Sequence, residues 1–141
     1  KEWQRVLDTN LTANWRLLRS LDPLLKASDA GRVVFATSSV GHQPRAYWGT
    51  YAVSKAALEM VAGIYAQECA KTNVKVNLIN PGATRTDMRA DAMPGEKPDT
   101  VKAPEAINHL FLELASPACT LNGALVEAEQ ELQAGHTTYS L

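Results

Sequence analysis

Two short apolar runs constrain this chain most: "RVVFAT" at 32–37 and "VKVNLI" at 74–79, separated by an Ala-, Leu- and Met-rich helical stretch over 50–71. The first is nearly continuous in β-branched and aromatic residues, as expected for a strand buried on both faces of a parallel sheet. Upstream, Trp3, Val6, Leu7, Leu11, Trp15, Leu18 and Leu21 recur at helical spacing over 1–21. Asp22-Pro23 is expected to break or kink that helix, because proline disfavours the α conformation in the residue before it, with Leu24 and Leu25 continuing a short second turn. "SDAG" at 28–31 is turn chemistry. In the helix over 50–71, Ala56, Ala57, Met60, Val61, Ile64 and Tyr65 are read as the buried side. A helix over 104–115 carries proline in its first turn, "GALVEA" at 123–128 reads as a last strand, and 129–141 as weakly structured. Strands alternating with helices predict an α/β fold: βαβ units and a parallel sheet with helices on both faces.

At 141 residues the chain is long enough for one domain with a sizeable core. Its 45% hydrophobic and 21% charged residues are those of an average globular protein, and a net charge of −1 gives no reason to expect a nucleic-acid or anionic-membrane partner. No apolar run is long enough to span a bilayer, and no signal-peptide pattern opens the chain. Cys69 and Cys119 lack CxxC companions and read as small buried hydrophobes in a reduced compartment, while His42, His109 and His136 are too scattered for a metal site. A cytoplasmic protein is the expectation. The chain opens at Lys1 inside a helical pattern, which reads as a piece of a longer polypeptide.

In a parallel sheet flanked by helices, ligands bind beyond the carboxyl ends of the strands. Two polar segments, 38–49 and 80–100, both follow strands and fall at that edge; the second is long enough to be functional or mobile. Ser38 ends the first strand, thirteen residues before Tyr51, and "GTYAVSKAALEM" (49–60) places Tyr51 and Lys55 one helical turn apart. By itself the Tyr–Lys pair is either a surface contact or a phenol tuned by a cation. With Ser38 converging on it, Lys55 would favour the phenolate and lower the tyrosine pKa from about 10. A phenol so tuned can act as general acid or base on an alcohol or carbonyl, with the serine holding the substrate oxygen.

The set Asn10, Ser38, Tyr51 and Lys55 resembles the Asn-Ser-Tyr-Lys tetrad of the short-chain dehydrogenase/reductase family. "VVFATSSVG" is similar to the family's strand-Ser-Ser-x-Gly segment, "YAVSKAAL" to its Tyr-x-x-x-Lys helix and "VNLINPGATRTDM" to its Pro-Gly loop, all in family order over roughly 1–127. The resemblance implies a partial Rossmann-type, doubly wound parallel sheet of three strands with flanking helices. It further implies Tyr51 as catalytic acid/base, Ser38 as the group that positions the substrate oxygen, and Lys55 as the residue that lowers the tyrosine pKa and bonds the nicotinamide ribose. Asn10 would support a water relay to Lys55. Pro81, Gly82, Thr84 and Thr86 would contact the nicotinamide end of NAD or NADP. The 80–100 segment would close over a small alcohol or carbonyl substrate, with Ser38, His42, Trp48 and Met88 as candidate substrate contacts. Trp48 and Tyr47 either line that pocket or tuck onto the fold; His42 is a loop residue at the site edge rather than a proton carrier. Arg85 and Arg89 read as solvated loop charges.

In the family, the helices corresponding to 1–21 and 50–71 pair with their copies in a second subunit. Here they either form such a homo-oligomer or simply cover the sheet. The family's opening strand, TGxxxGxG turn and Asn-Asn-Ala-Gly segment have no counterpart: the glycines at 31, 41, 49, 63, 82, 95, 123 and 135 never fall in that pattern. The amino-terminal βαβ half is therefore expected to be absent, and the chain by itself is expected neither to bind dinucleotide well nor to turn over. This departure also suits a non-catalytic dimerisation fragment; a related epimerase or dehydratase using the same Tyr–Lys pair fits less well, because those relatives usually have a longer interval between serine and tyrosine.

Overall fold

The computed structural model describes residues 1–134. Three parallel strands, β1 (Arg32–Ala36), β2 (Lys75–Asn80) and β3 (Leu125–Glu127), lie in the order β1-β2-β3. Arg32 pairs with Lys75 through to Ala36 with Ile79, and Leu78 pairs with Leu125 through to Asn80 with Glu127. All three carboxyl ends therefore open on one edge.

The pleat sends alternate side chains to opposite faces. Phe35, Val76 and Leu78 pack with Leu18, Leu58, Ala62, Tyr65, Ala66 and Cys69 under helices α2 (Ala13–Ala27) and α3 (Gly49–Glu68). Ile79, Val126 and the partly buried Val34 pack on the other face with Ile107, Leu110 and Leu114, under helix α5 (Asn108–Ala115). The result is the three-layer α/β sandwich that the alternation predicts, with a sheet that does not close. Strand β2 is the one buried on both faces; β1 pairs on one side only among the described residues, and its Ala36 is exposed.

Several elements differ from expectation. Helix α1 (Glu2–Leu7), a π-helical turn at Asp8–Thr12 and α2 run into one another, and α2 continues through Pro23 to Ala27 without a break. Pro23 faces solvent, so water can satisfy the carbonyl its missing N–H abandons. The flanking turns are also pinned: the Tyr65 hydroxyl donates to Asp22 Oδ1 at 2.8 Å, and Lys26 Nζ donates to Asp22 Oδ2 at 3.0 Å. On α3 the buried stripe is Ser54, Leu58, Ala62, Tyr65 and Ala66, whereas Ala56, Met60 and Ile64 face outward. That helix is apolar nearly all round, so its periodicity could not pick the face.

Within 80–100 a short helix α4 (Asp87–Ala92) forms because Thr86 Oγ1 caps it by accepting the Arg89 N–H at 3.2 Å. Arg89 is not a free solvated charge: it grips Glu96 with two bonds of 2.7 Å. The helix predicted over 104–115 begins as a 3₁₀ turn, Pro104–Ile107, before α5. After β3 the chain forms helix α6 (Ala128–Ala134) where weak structure was expected; the rest of that segment, 135–141, lies outside the described residues.

Candidate active site at the carboxyl edge of the sheet

Strand β1 ends at Ala36, and the Thr37 N–H carries the ladder one step further by donating to the Ile79 carbonyl at 2.8 Å. Ser38, still extended at φ −157° and ψ 152°, then turns the chain into the polar loop. The loop returns through Tyr47, a fully exposed residue in the left-handed region (φ 72°), to Trp48 and the start of α3. Tyr51 lies in the first turn of α3 and Lys55 one turn later.

These three side chains meet. The Ser38 hydroxyl stands near enough to the Tyr51 phenol to favour its phenolate, and Lys55 Nζ stands 5.6 Å from the centroid of the Tyr51 ring. The amine donates to the Ala36 carbonyl at 3.0 Å. Trp48 flanks the phenol with its ring tilted at 55° and 5.9 Å away, and Arg45 stacks over that indole at 5.4 Å. Trp48 thus stands beside the phenol, while Tyr47 projects into solvent.

The electrostatics differ from the sequence expectation. Burial pushes the Tyr51 phenol above its ordinary pKa, and Ser38 pulls it only partly back down. Burial also pushes the Lys55 ammonium below its ordinary value. Removal from water disfavours both charged forms. The phenol is thus shifted upward, where the sequence reading expected Lys55 to lower it.

Asn10 sits in the π-helical turn and reaches α3 from behind: its Nδ2 donates to Ser54 Oγ at 3.1 Å, and Ser54 Oγ donates to the Tyr51 carbonyl at 2.7 Å. The Asn10 carbonyl accepts from Asn14 Nδ2 at 2.9 Å. Ser54 is fully buried. Sequence reasoning missed it, because the near-uniformly apolar helix gave no sign of which face it buries.

The second loop of the edge begins at Pro81. Gly82 has φ +67°, and its N–H donates to Asn80 Oδ1 at 3.1 Å. The Ala83 N–H donates to Glu129 Oε1 at 2.9 Å, and Lys102 Nζ donates to the Ala83 carbonyl at 2.8 Å. A Cβ on Gly82 would lie 2.4 Å from Glu129 Oε1, so only glycine allows this approach. Thr84 bridges to Lys102, and the Thr86 hydroxyl is used as the α4 cap. Glu129, in the segment expected to be weakly structured, is thus part of the loop's support.

The remaining candidates are dispersed. His42 is held between two carboxylates, with Nδ1 3.1 Å from Glu59 Oε1 and Nε2 3.5 Å from Glu127 Oε1. It lines an open cleft of about 490 Å³ with Glu59, Leu78, Leu125 and Glu127; neither Ser38, Tyr51 nor Lys55 lines that cleft. Met88 projects from α4 into solvent. Cys69 is buried and Cys119 partly so, both as free thiols. No helix among the described residues is long and apolar enough to cross a membrane.

Comparisons with known proteins agree with this architecture. The family described as short chain dehydrogenase matches residues 1–97. The oxidoreductase YciK of Escherichia coli K12, itself uncharacterised, is 49% identical over 112 residues, covering 79% of this chain and 44% of YciK. The 2,3-dihydro-2,3-dihydroxybenzoate dehydrogenase of Bacillus subtilis is 32% identical over 89 residues, covering 63% of this chain and 34% of that enzyme. Among solved structures, a short chain dehydrogenase from Salmonella enterica serovar Typhi superposes with a TM-score of 0.87 at 44% identity, over 90% of this chain and 53% of that one. One from Escherichia coli CFT073, complexed with NADPH, gives 0.85 at 44% identity, over 90% and 53%. The chain thus spans about half the length of the relatives it matches. The match over residues 1–97, together with a three-stranded sheet that superposes on solved members, makes this chain a member of the short chain dehydrogenase family.

Proposed function

We propose that this chain carries the proton-transfer and substrate-orienting part of an NAD(P)-dependent oxidoreductase acting on a small alcohol or carbonyl compound. The observation that carries the reading is the convergence of Ser38, Tyr51 and Lys55 at the carboxyl edge of the sheet, with the Lys55 amine 5.6 Å from the centroid of the phenol ring. Relatives of known or named activity are oxidoreductases, and one solved relative holds NADPH.

The residues present fit the nicotinamide end of such a cofactor. Lys55 spends one donor on Ala36 and has two left for ribose hydroxyls. Pro81, Gly82, Thr84 and Thr86 follow β2 at the same edge. Among the described residues there is no glycine-rich turn at a helix N-terminus to cradle a pyrophosphate, and nothing in these segments selects NAD over NADP. The nicotinamide, when bound, gives or takes the hydride. Tyr51, neutral in its buried setting, donates its proton to the substrate oxygen during carbonyl reduction and takes one back during alcohol oxidation. Ser38 donates to that same oxygen. Asn10, through Ser54, holds the first turn of α3 in place and supports a water relay toward Lys55. Trp48 walls the substrate space, whereas His42 and Met88 stand apart from it and are given no part in it. The expected setting is cytoplasmic.

The test joins this chain to the nucleotide-binding half of a relative and follows NAD(P)H oxidation over a panel of carbonyl compounds. Tyr51→Phe is expected to lose about 10²–10⁴-fold in kcat; full retention of activity refutes the role of Tyr51.

A second reading is favoured by one specific feature. Trp3, Trp15, Leu17, Leu21, Leu24, Val53, Met60 and Ile64 are all exposed on α1, α2 and α3, and a groove of about 370 Å³ between α2 and α3 is lined by Trp15 and Ile64. A face this apolar suits pairing with a second copy through the segments 1–21 and 50–71. As an oligomer this chain would serve either the enzyme or a non-catalytic dimerisation module. A stable dimer of the 141-residue chain with no affinity for NADP in titration would favour the module.

A further inference from the structure

Tyr51, Lys55 and Glu59 occupy positions i, i+4 and i+8 of α3 and so form one stripe along its surface. Each faces one of three consecutive residues at the end of β1. Lys55 Nζ donates to the Ala36 carbonyl at 3.0 Å, Thr37 Oγ1 donates to Glu59 Oε1 at 2.6 Å, and the Ser38 hydroxyl stands near the Tyr51 phenol. Glu59 is the member of this lacing that the chemistry above leaves without a task. Its carboxylate also faces His42 Nδ1 at 3.1 Å, and it lies so close to Gly41 that a Cβ there would approach Oε1 to 2.5 Å. It therefore touches the loop on both sides of Ser38, at Thr37 before it and at Gly41 and His42 after it. The Glu59 side chain is 18% exposed, and Thr37 as a residue is 3% exposed. A carboxylate this enclosed is held in place by its partners, since leaving it unpaired would cost the desolvation of a charge.

We propose that Glu59 is a positioning residue that clamps the strand-end loop and so fixes the Ser38 hydroxyl on the Tyr51 phenol. It acts through Thr37 and does not touch the reacting atoms. The proposal rests on the reading of Ser38 and Tyr51 as a working pair, but it is tested on the phenol itself and needs no turnover.

The chain is labelled with 3-fluorotyrosine, whose more acidic phenol titrates without alkaline unfolding. The fluorine resonance of Tyr51 is assigned by its loss in Tyr51→Phe. Ser38→Ala sets the reference, since losing a donor to the phenolate raises the Tyr51 midpoint. Glu59→Ala and Thr37→Val are each expected to raise it by at least half that shift, and Glu59→Gln, which keeps an oxygen for Thr37, by much less. The sign is discriminating. Removing a negative charge acts on Tyr51 coulombically in the opposite sense, so a purely electrostatic Glu59 would lower the midpoint. In a Ser38→Ala background, Glu59→Ala is expected to raise it no further. A midpoint that stays or falls in Glu59→Ala and Thr37→Val, or the same rise without Ser38, overturns the clamp. If Glu59→Ala fails to fold, the near-isosteric Thr37→Val decides between the two outcomes. An inactive enzyme with the expected shifts would sink the catalytic reading and leave the clamp standing.

Discussion

Ser54 offers the sharpest stability test, because its buried hydroxyl joins two helices at the site. It accepts from Asn10 Nδ2 at 3.1 Å and donates to the Tyr51 carbonyl at 2.7 Å. In Ser54→Ala the interhelical bond is lost, worth about 1 kcal/mol net. The Asn10 amide is left partly buried without its partner, adding about 1 kcal/mol. The Tyr51 carbonyl keeps its helical N–H, so it adds little. Alanine is the better helix former by about 0.5 kcal/mol, which offsets part of the loss. The expected cost is about 1.5 kcal/mol, or roughly 5 °C in Tm for a domain of this size. Urea unfolding of Asn10→Ala, Ser54→Ala and the double variant should give a coupling near 1 kcal/mol, because either single change already breaks the bond. Strict additivity of the two costs would show that Asn10 and Ser54 do not communicate in solution. The π-helical turn would then not be what steadies Tyr51.

Gly82→Ala should lose about 2 kcal/mol, about half from the positive φ and the rest from displacing Glu129 off the Ala83 amide, as read by chemical denaturation. With Glu129→Ala already present, only the backbone share should remain. Burial raises the phenols of Tyr51 and Tyr65 above their ordinary value, most strongly for Tyr65, which Asp22 also opposes. A raised phenol stabilises the fold fully below the unfolded pKa of about 10, and that contribution is lost as pH climbs beyond it. Tyr65→Phe should therefore flatten the alkaline fall in stability, at a cost of about 1 kcal/mol at neutral pH for the lost bond to Asp22. Met60→Glu with Ile64→Glu should convert any dimer formed through the α2–α3 face to monomer in light scattering; an unchanged mass would place the contact elsewhere.

The layered architecture was legible because β-branched runs and a long helix leave little choice of arrangement. The contact of Ser38, Tyr51 and Lys55 was legible for the same reason: two residues on one helix stripe and one at a strand end have to converge at the carboxyl edge. What sequence could not show was the balance of forces there. The lysine was expected to acidify the phenol, whereas burial pushes it upward, and burial depends on how distant segments pack. Pro23 misled because local sterics argue for a break while the Tyr65–Asp22–Lys26 contacts favour continuity. Met60 and Ile64 misled because an apolar side chain carries no label saying whether it packs inward or outward. Glu129 was overlooked since its partner, the Ala83 amide, lies 46 residues earlier.

The widened turn at Asp8–Thr12 imposes a strict count on the chain around it. Each residue advances an α-helix by about 100°, so inserting or deleting one residue just after the widened turn, at the start of α2, would swing everything upstream by more than a quarter revolution. Trp3 and Val6 would then point in new directions, and Asn10 would be wound out of reach of Ser54. Length in this short stretch is consequently less forgiving than identity: substitutions can be absorbed, whereas an insertion or deletion must be matched by another before the site can re-form.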